Sequence, residues 1–236
     1  MSFIITVYTN EGIIMASDSR ITYTRTEKHS DGTVEKKIGI QTTDSTYKTF
    51  LCNSRVGLST CGDSSIHGML ITGYIEEFIA TKVSESSSIE DIAQGVLDYF
   101  STFSPIPNTT FIIAGYNENS NEKHIIRVYI GNKKMVTEDV QFPGAVWNGE
   151  IETLQRVINT VGLKMPDGTY TEMPSHSIGF NFFTLQDAID FAQYAVDITI
   201  KTMKFQSCVK TVGGPIDILA IKPTGAFWVQ RKELHA

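Results

Sequence analysis

Ser2-Phe3-Ile4-Ile5-Thr6-Val7 and, past a turn, Gly12-Ile13-Ile14-Met15-Ala16-Ser17-Asp18-Ser19-Arg20 are two apolar strands in succession at the start of the chain. The first opens on a serine directly behind Met1, and a small residue at position 2 is what methionine removal requires. Once freed, the α-amine of Ser2, with a reference pKa near 7.7 to 8.0, would lie within bonding reach of its own hydroxyl. One residue would then carry both nucleophile and base, placing an acyl-transfer site at the chain's beginning.

The rest of the first 61 residues also reads as strands: Phe3 to Thr9, Gly12 to Ser17, a polar alternating pair on either side of Asp31-Gly32, Tyr47 to Asn53 and Val56 to Cys61. Asp31-Gly32 is a strong hairpin signal. Two helical segments follow. The first carries Ile71, Ile75, Phe78 and Ile79 on one face; the second is capped by Ser87 with Glu90 three residues on and carries Ile89, Ile92, Ala93, Val96, Tyr99 and Phe100. Pro105 and Pro107 end this pair.

Strands resume at Thr110 to Tyr116, His124 to Ile130 and Met135 to Val140, and Ala145 to Trp147 leads into a helix expected from about Glu150 to Val161. After an irregular stretch with Pro166, Gly168 and Pro174, Thr184 with Asp187 caps a long helix whose inner face is Ala188, Phe191, Ala192, Ala195 and Ile198. Strands Ile216 to Ile221 and Ala226 to Gln230 close the chain. Blocks of strands separated by blocks of helices exclude the doubly wound alternation. The expected fold class is α+β: a four-layer α-β-β-α sandwich, helices outside two packed antiparallel sheets, in a single domain over residues 1–236.

Composition narrows the partners. A chain of 236 residues that is 41% hydrophobic and carries a net charge of -6 has enough apolar material for one large core, and scattered Lys and Arg offer no phosphate-binding face. Nucleic acid and membrane are not expected as partners. No apolar stretch exceeds strand length and no signal peptide is legible, so a cytoplasmic location is expected. Cys52, Cys61 and Cys208 lack metal-type spacing and are expected as reduced, buried hydrophobes. His29, His67, His124, His176 and His235 form no metal motif, Trp147 and Trp228 read as core or interface anchors, and no G-x-S-x-G marks a conventional Ser-His-Asp enzyme. Neither cofactor nor metal is expected. Gly213-Gly214-Pro215 is too short for a nucleotide signature, and the sequon Asn108-Thr109-Thr110 has no consequence without secretion.

Ser2 ahead of its strand, the run Gly12 to Arg20, Lys48 before an apolar strand and Cys61-Gly62-Asp63 together resemble the N-terminal-nucleophile hydrolases of the proteasome β-subunit type, a threonine-type peptidase family in which some relatives use serine. Gly213-Gly214-Pro215-Ile216-Asp217-Ile218 resembles the late Gly-Gly strand entry of that family. The resemblance implies the Ntn-hydrolase sandwich, with Ser2 as nucleophile, Asp18 and Lys48 beside it and the Gly62 backbone N–H as oxyanion donor. It further implies a homo-oligomer, since members of that family work inside rings, acting on peptide or small-amide substrates, without a propeptide as in the simpler bacterial members. Whether an ATP-driven unfoldase feeds the particle is left open. The chemistry is sound on its own terms: a neighbouring ammonium lowers the amine's proton affinity, a carboxylate holds that ammonium, and a rigid N–H stabilises the oxyanion by about 3 to 4 kcal/mol in comparable sites.

The sequence also departs from the family pattern. Thr22 to Gln41 is inserted between Asp18 and Lys48 as an extended hairpin, and the places of the family's supporting hydroxyl and carboxylate groups read Asn148-Gly149, Val209 and Val212. If Met1 is retained, Ser2 carries an amide nitrogen that cannot act as base. The rival expectation is therefore a non-catalytic assembly or scaffold protein on the same fold, as in the family's α-type subunits; a third is a hydrolase of small amides.

Overall fold

A computed structural model describes residues 2–29 and 31–234; Met1, on whose removal the serine chemistry depends, and His235 lie outside them. In chain order the elements are β1 (Phe3–Tyr8), β2 (Ile13–Ser17), β3 (Ile21–Lys28), β4 (Val34–Thr43), β5 (Thr49–Asn53), β6 (Val56–Gly62), β7 (Ser65–Ile66), β8 (Met69–Leu70), α1 (Ile71–Lys82) and α2 (Ile89–Ser101). There follow β9 (Thr109–Tyr116), β10 (Lys123–Tyr129), β11 (Lys134–Thr137), β12 (Gly144–Gly149), α3 (Glu152–Ile158), β13 (Gly162–Lys164), β14 (Tyr170–Glu172), α4 (Leu185–Phe205), β15 (Asp217–Lys222) and β16 (Gly225–Gln230).

Two five-stranded sheets, ordered β12-β1-β2-β15-β16 and β11-β10-β9-β6-β5, have every neighbouring pair antiparallel. Their side chains sort into three clusters that define the layers. Ile4, Ile13, Met15, Ile112, Ile125 and Leu219 pack between the two sheets. Phe3, Ile5, Ile14 and Ile218 point the other way, against Ala188, Ala192 and Val196 of α4 and Leu154 of α3. Leu58, Phe111, Ile113 and Val128 face α1 and α2 through Ile75, Phe78, Ile92, Val96 and Phe100. This is the four-layer α-β-β-α sandwich of the Ntn-hydrolase fold. It explains the apolar start of the chain: β1 and β2 are buried at every position because one face meets the second sheet and the other meets α4.

Several expectations need correction. The cap of α2 is Ser88, which accepts from Asp91 N while Asp91 accepts from the Ser88 backbone; Ser87 instead accepts from Ser84 N, one residue too early for the apolar face. The helix expected to reach Val161 ends at Ile158, where Asn159 turns extended, and the stretch expected to be irregular forms the hairpin β13–β14. Phe191 and Ile198 of α4 are only half-buried; its inner face runs through Ala188, Ile189, Ala192, Ala195, Val196, Thr199 and Met203. Cys52 and Cys61 are buried, but Cys208 is exposed, because the segment after α4 runs over the surface.

The insertion at 22–41 is the two-stranded hairpin β3–β4, closed around Asp31-Gly32. Its base is held against the chain after α4, where the Thr22 hydroxyl donates to Lys210 O at 3.3 Å. No helix among the described residues is long and apolar enough to cross a membrane.

Candidate functional site

Asp18 follows directly on β2, whose last residue pairs with Ile4 of β1 and Asp217 of β15, so its carboxylate is delivered into the interior of the sandwich. It is wholly buried and accepts four hydrogen bonds. Oδ1 takes Phe3 N at 3.0 Å and Lys48 Nζ at 2.8 Å; Oδ2 takes Arg20 N at 3.1 Å and Gly213 N at 3.0 Å. Lys48, one residue before β5, is 3% exposed, and its ammonium also donates to Arg20 O at 2.5 Å. Burial lowers the proton affinity of Lys48, against the pull of the Asp18 carboxylate. The separation of 30 residues in sequence is thus bridged directly, the inserted hairpin leaving and returning without disturbing the pair.

Ser2 is 7% exposed and is held by its own peptide group. The Ser2 carbonyl accepts from Glu150 N at 2.8 Å, and the next N–H, that of Phe3, donates to Asp18. Clamping one peptide plane on both edges removes the rotational freedom of the residue that would carry the nucleophile. Gly149 makes the clamp possible: at φ +97 a Cβ there would sit 1.8 Å from the Ser2 carbonyl oxygen.

Ser2, Lys48 and Gly62 line one cleft of about 280 Å³ including its open mouth, together with Thr60, Cys61 and Thr72. Gly62 ends β6 at φ +122, where a Cβ would stand 2.3 Å from Asn108 O. That contact, with Asp63 accepting from Asn108 N at 2.7 Å, fixes the turn in which the glycine sits. The structure therefore brings together all four residues singled out from the sequence: Asp18 on Lys48, and Lys48, Ser2 and Gly62 around the cleft.

The supporting groups differ from those sought. Val212 is buried in the apolar layer under α4, and Val209 lies at the surface beside Gly39 of β4, so neither position contributes polarity. Thr211, between them, is buried and donates from its hydroxyl to Glu150 Oε1 at 2.8 Å, anchoring the residue whose N–H holds Ser2. Neither Glu150 nor Thr211 carries a sequence signal, since they lie 61 residues apart and meet only in the folded chain. Asn148 meets the Cys61 thiol, which burial pushes up to about 11. The Gly213-Gly214 pair has a steric cause: a side chain at Gly213 would collide with the Arg20 guanidinium, which binds Asp44 at 2.6 and 2.7 Å.

A second buried ion pair, Asp217 with Lys232, closes the chain's end over Tyr47, whose hydroxyl donates to Lys232 O at 3.2 Å. Among the described residues, His67 meets Ser104 O at 2.8 Å, His124 meets Glu90 at 2.9 Å, and His29 and His176 are exposed; His235 lies outside them.

Fold and cleft together define a proteasome-like Ntn-hydrolase sandwich. The chain is similar to solved structures of Anbu from Hyphomicrobium sp. strain MC1. A Gly-1 mutant of Anbu aligns with 100% of this chain and 88% of its own at TM-score 0.62 and 15% identity; Anbu itself aligns with 98% and 88% at TM-score 0.59 and 15% identity. No family model matches the sequence, and no curated protein matches it. The resemblance to bacterial members of the proteasome β-subunit family is corrected accordingly. The aligned structures are Anbu, no family match accompanies them, and 15% identity carries the fold alone. The physical reason is that the motifs behind that resemblance are few and short, and the sandwich geometry itself calls for small or apolar residues at most of those places.

Proposed function

We propose that this chain, acting as one domain, is an N-terminal-serine hydrolase that cleaves amide bonds through an acyl-Ser2 intermediate once Met1 is removed. The observation that carries this reading is the buried contact of 2.8 Å between Asp18 and Lys48, the lysine lining the cleft that also holds Ser2 and Gly62. An ion pair taken out of water at such expense has little structural return. Its place beside a clamped N-terminal serine gives it a chemical one.

The free α-amine takes the proton from Ser2 Oγ as the hydroxyl attacks the carbonyl carbon. Lys48, held by Asp18, keeps the amine unprotonated and favours the developing alkoxide, while the Gly62 N–H receives the oxyanion. The amine returns the proton to the leaving nitrogen, and water then resolves the ester. Peptides are the substrate class put first, small amides second. Self-association into a homo-oligomer and a cytoplasmic location complete the proposal.

The test is the intact mass of the untagged protein before and after incubation with a peptidyl vinyl sulfone. Loss of one methionine and a single adduct on Ser2, absent in Ser2→Ala, is the expected result. Retained Met1 and no adduct would favour the second reading, a scaffold on the same fold, which the apolar side chains at Val209 and Val212 in place of polar supporting groups support.

A further inference from the structure

Arg20 and Asp44 stand at the two ends of the inserted hairpin, immediately outside β3 and β4. The guanidinium donates to both oxygens of the carboxylate, from Nε to Oδ1 at 2.6 Å and from Nη2 to Oδ2 at 2.7 Å, and so clasps the neck of the insertion. Thr46 N donates to Ser19 O at 3.2 Å across the same neck. Ile21 and Thr46 line the cleft at Ser2, so the hairpin springs from the cleft's rim.

The backbone of Arg20 holds both members of the buried pair: its N–H donates to Asp18 Oδ2 and its carbonyl accepts from Lys48 Nζ. The clasp itself rests on the glycine pair. A Cβ on Gly213 would stand 2.5 Å from Arg20 Cζ, and one on Gly214 would stand 2.8 Å from Asp44 Cβ, while Gly213 N donates to Asp18 as well. An ion pair whose side chains are 22% and 41% exposed adds little stability by itself. Its placement gives it another task.

A lysine ammonium carries three donors. In Lys48 two of them are fixed, one on Asp18 Oδ1 and one on Arg20 O, and two fixed corners of a tetrahedron aim the third. Among the described residues, Asp44 is the only hydrogen-bonding partner of the Arg20 side chain. On the strength of the proposed acyl-Ser2 chemistry, we infer that Arg20 and Asp44 are positioning residues for the reaction: by closing the neck of the inserted hairpin they fix the carbonyl that aims the Lys48 ammonium. The insertion that parts Asp18 from Lys48 in sequence thus brings its own two ends back into register. Neither Arg20 nor Asp44 lines the cleft, so they act on the reacting geometry and leave reagent binding alone.

The test measures Ser2 labelling by the peptidyl vinyl sulfone over a range of reagent concentrations, which separates the maximal rate from the concentration that half-saturates it. In Asp44→Asn the maximal rate is expected to fall about tenfold, as a small misplacement of a reacting group would cause, with half-saturation unchanged. Asp44→Glu, which keeps the carboxylate, is expected to recover most of that rate. Ser88→Ala, which removes the cap of α2, is the comparison for a loss of stability alone and should leave the maximal rate as it was. An unchanged maximal rate in Asp44→Asn, a change confined to half-saturation, a Glu variant no faster than the Asn one, or an equal fall in Ser88→Ala overturns the positioning role while leaving the nucleophile in place. Absence of any adduct on Ser2 in the unaltered protein overturns the hydrolase reading and the positioning role together.

Discussion

Asp18 and Lys48 depend on each other unequally. The carboxylate keeps three backbone N–H donors without the lysine, whereas the lysine without the carboxylate keeps only Arg20 O and becomes a buried, uncompensated charge. Asp18→Ala is therefore expected to lower unfolding free energy by about 3 to 5 kcal/mol, measured by urea denaturation. Lys48→Met, which fills the same space, should keep most of the stability and lose Ser2 labelling; a Met variant that labels at the wild-type rate would remove lysine from the mechanism. Arg20 and Asp44 give a pH signature. The Arg20 guanidinium hydrogen-bonds Asp44 and holds its carboxyl below the ordinary 3.8. A folded-state value below the unfolded one means the contribution is present above pH 3.8 and lost as pH falls through the folded value. The melting-temperature gap between wild type and Asp44→Asn should accordingly be open at neutral pH and close as acid is added.

Among the elements, β12 and α2 show what local sequence can and cannot do. Gly149 ends β12 with no room for a side chain against the Ser2 carbonyl, so Gly149→Ala should displace the N-terminal residue and abolish labelling while the sheets stay formed, as circular dichroism would report. Nothing in the Asn148-Gly149 dipeptide announces this; it follows from the pairing of Phe3 with Gly149. The start of α2 was nearly legible, since a run of serines ahead of acidic residues signals a capping box. Which serine caps was decided by the buried face: placing Ile89, Ile92, Val96 and Phe100 against the sheet sets Ser88 at the cap. Ser88→Ala should cost about 1 kcal/mol in chemical denaturation, and Ser87→Ala clearly less.

For the molecule as a whole, the surface carries an argument about assembly. Phe182, Phe205 and Tyr170 are 89%, 82% and 71% exposed, and Leu163, Met165 and Met173 in and beside the hairpin β13–β14 are open as well. Large aromatic side chains left in water favour a covering partner. Under the proposed homo-oligomer that partner is another copy of the chain. Light scattering at micromolar concentration should return a multiple of the single-chain mass, and Phe182→Asp with Phe205→Asp should shift it toward the monomer. A monomer in the unaltered protein would count against self-association.

The layers and most of the site residues were readable in the chain because they depend on short-range pattern. Uninterrupted apolar runs at β1 and β2 mean strands covered on both faces, and blocks of period-2 and period-3.6 hydrophobicity set sheets apart from helices. Ser2, Asp18, Lys48 and Gly62 stand at ends of those runs, where polar groups can reach an interior. Only the folded chain decided what lies between them. The clamp on the Ser2–Phe3 peptide and the Thr211–Glu150 support arise from strand register and from contacts between residues remote in sequence. No local pattern encodes such contacts, because a hydrogen bond across a sandwich depends on where two backbones come to rest, and that is settled by the packing of the whole core.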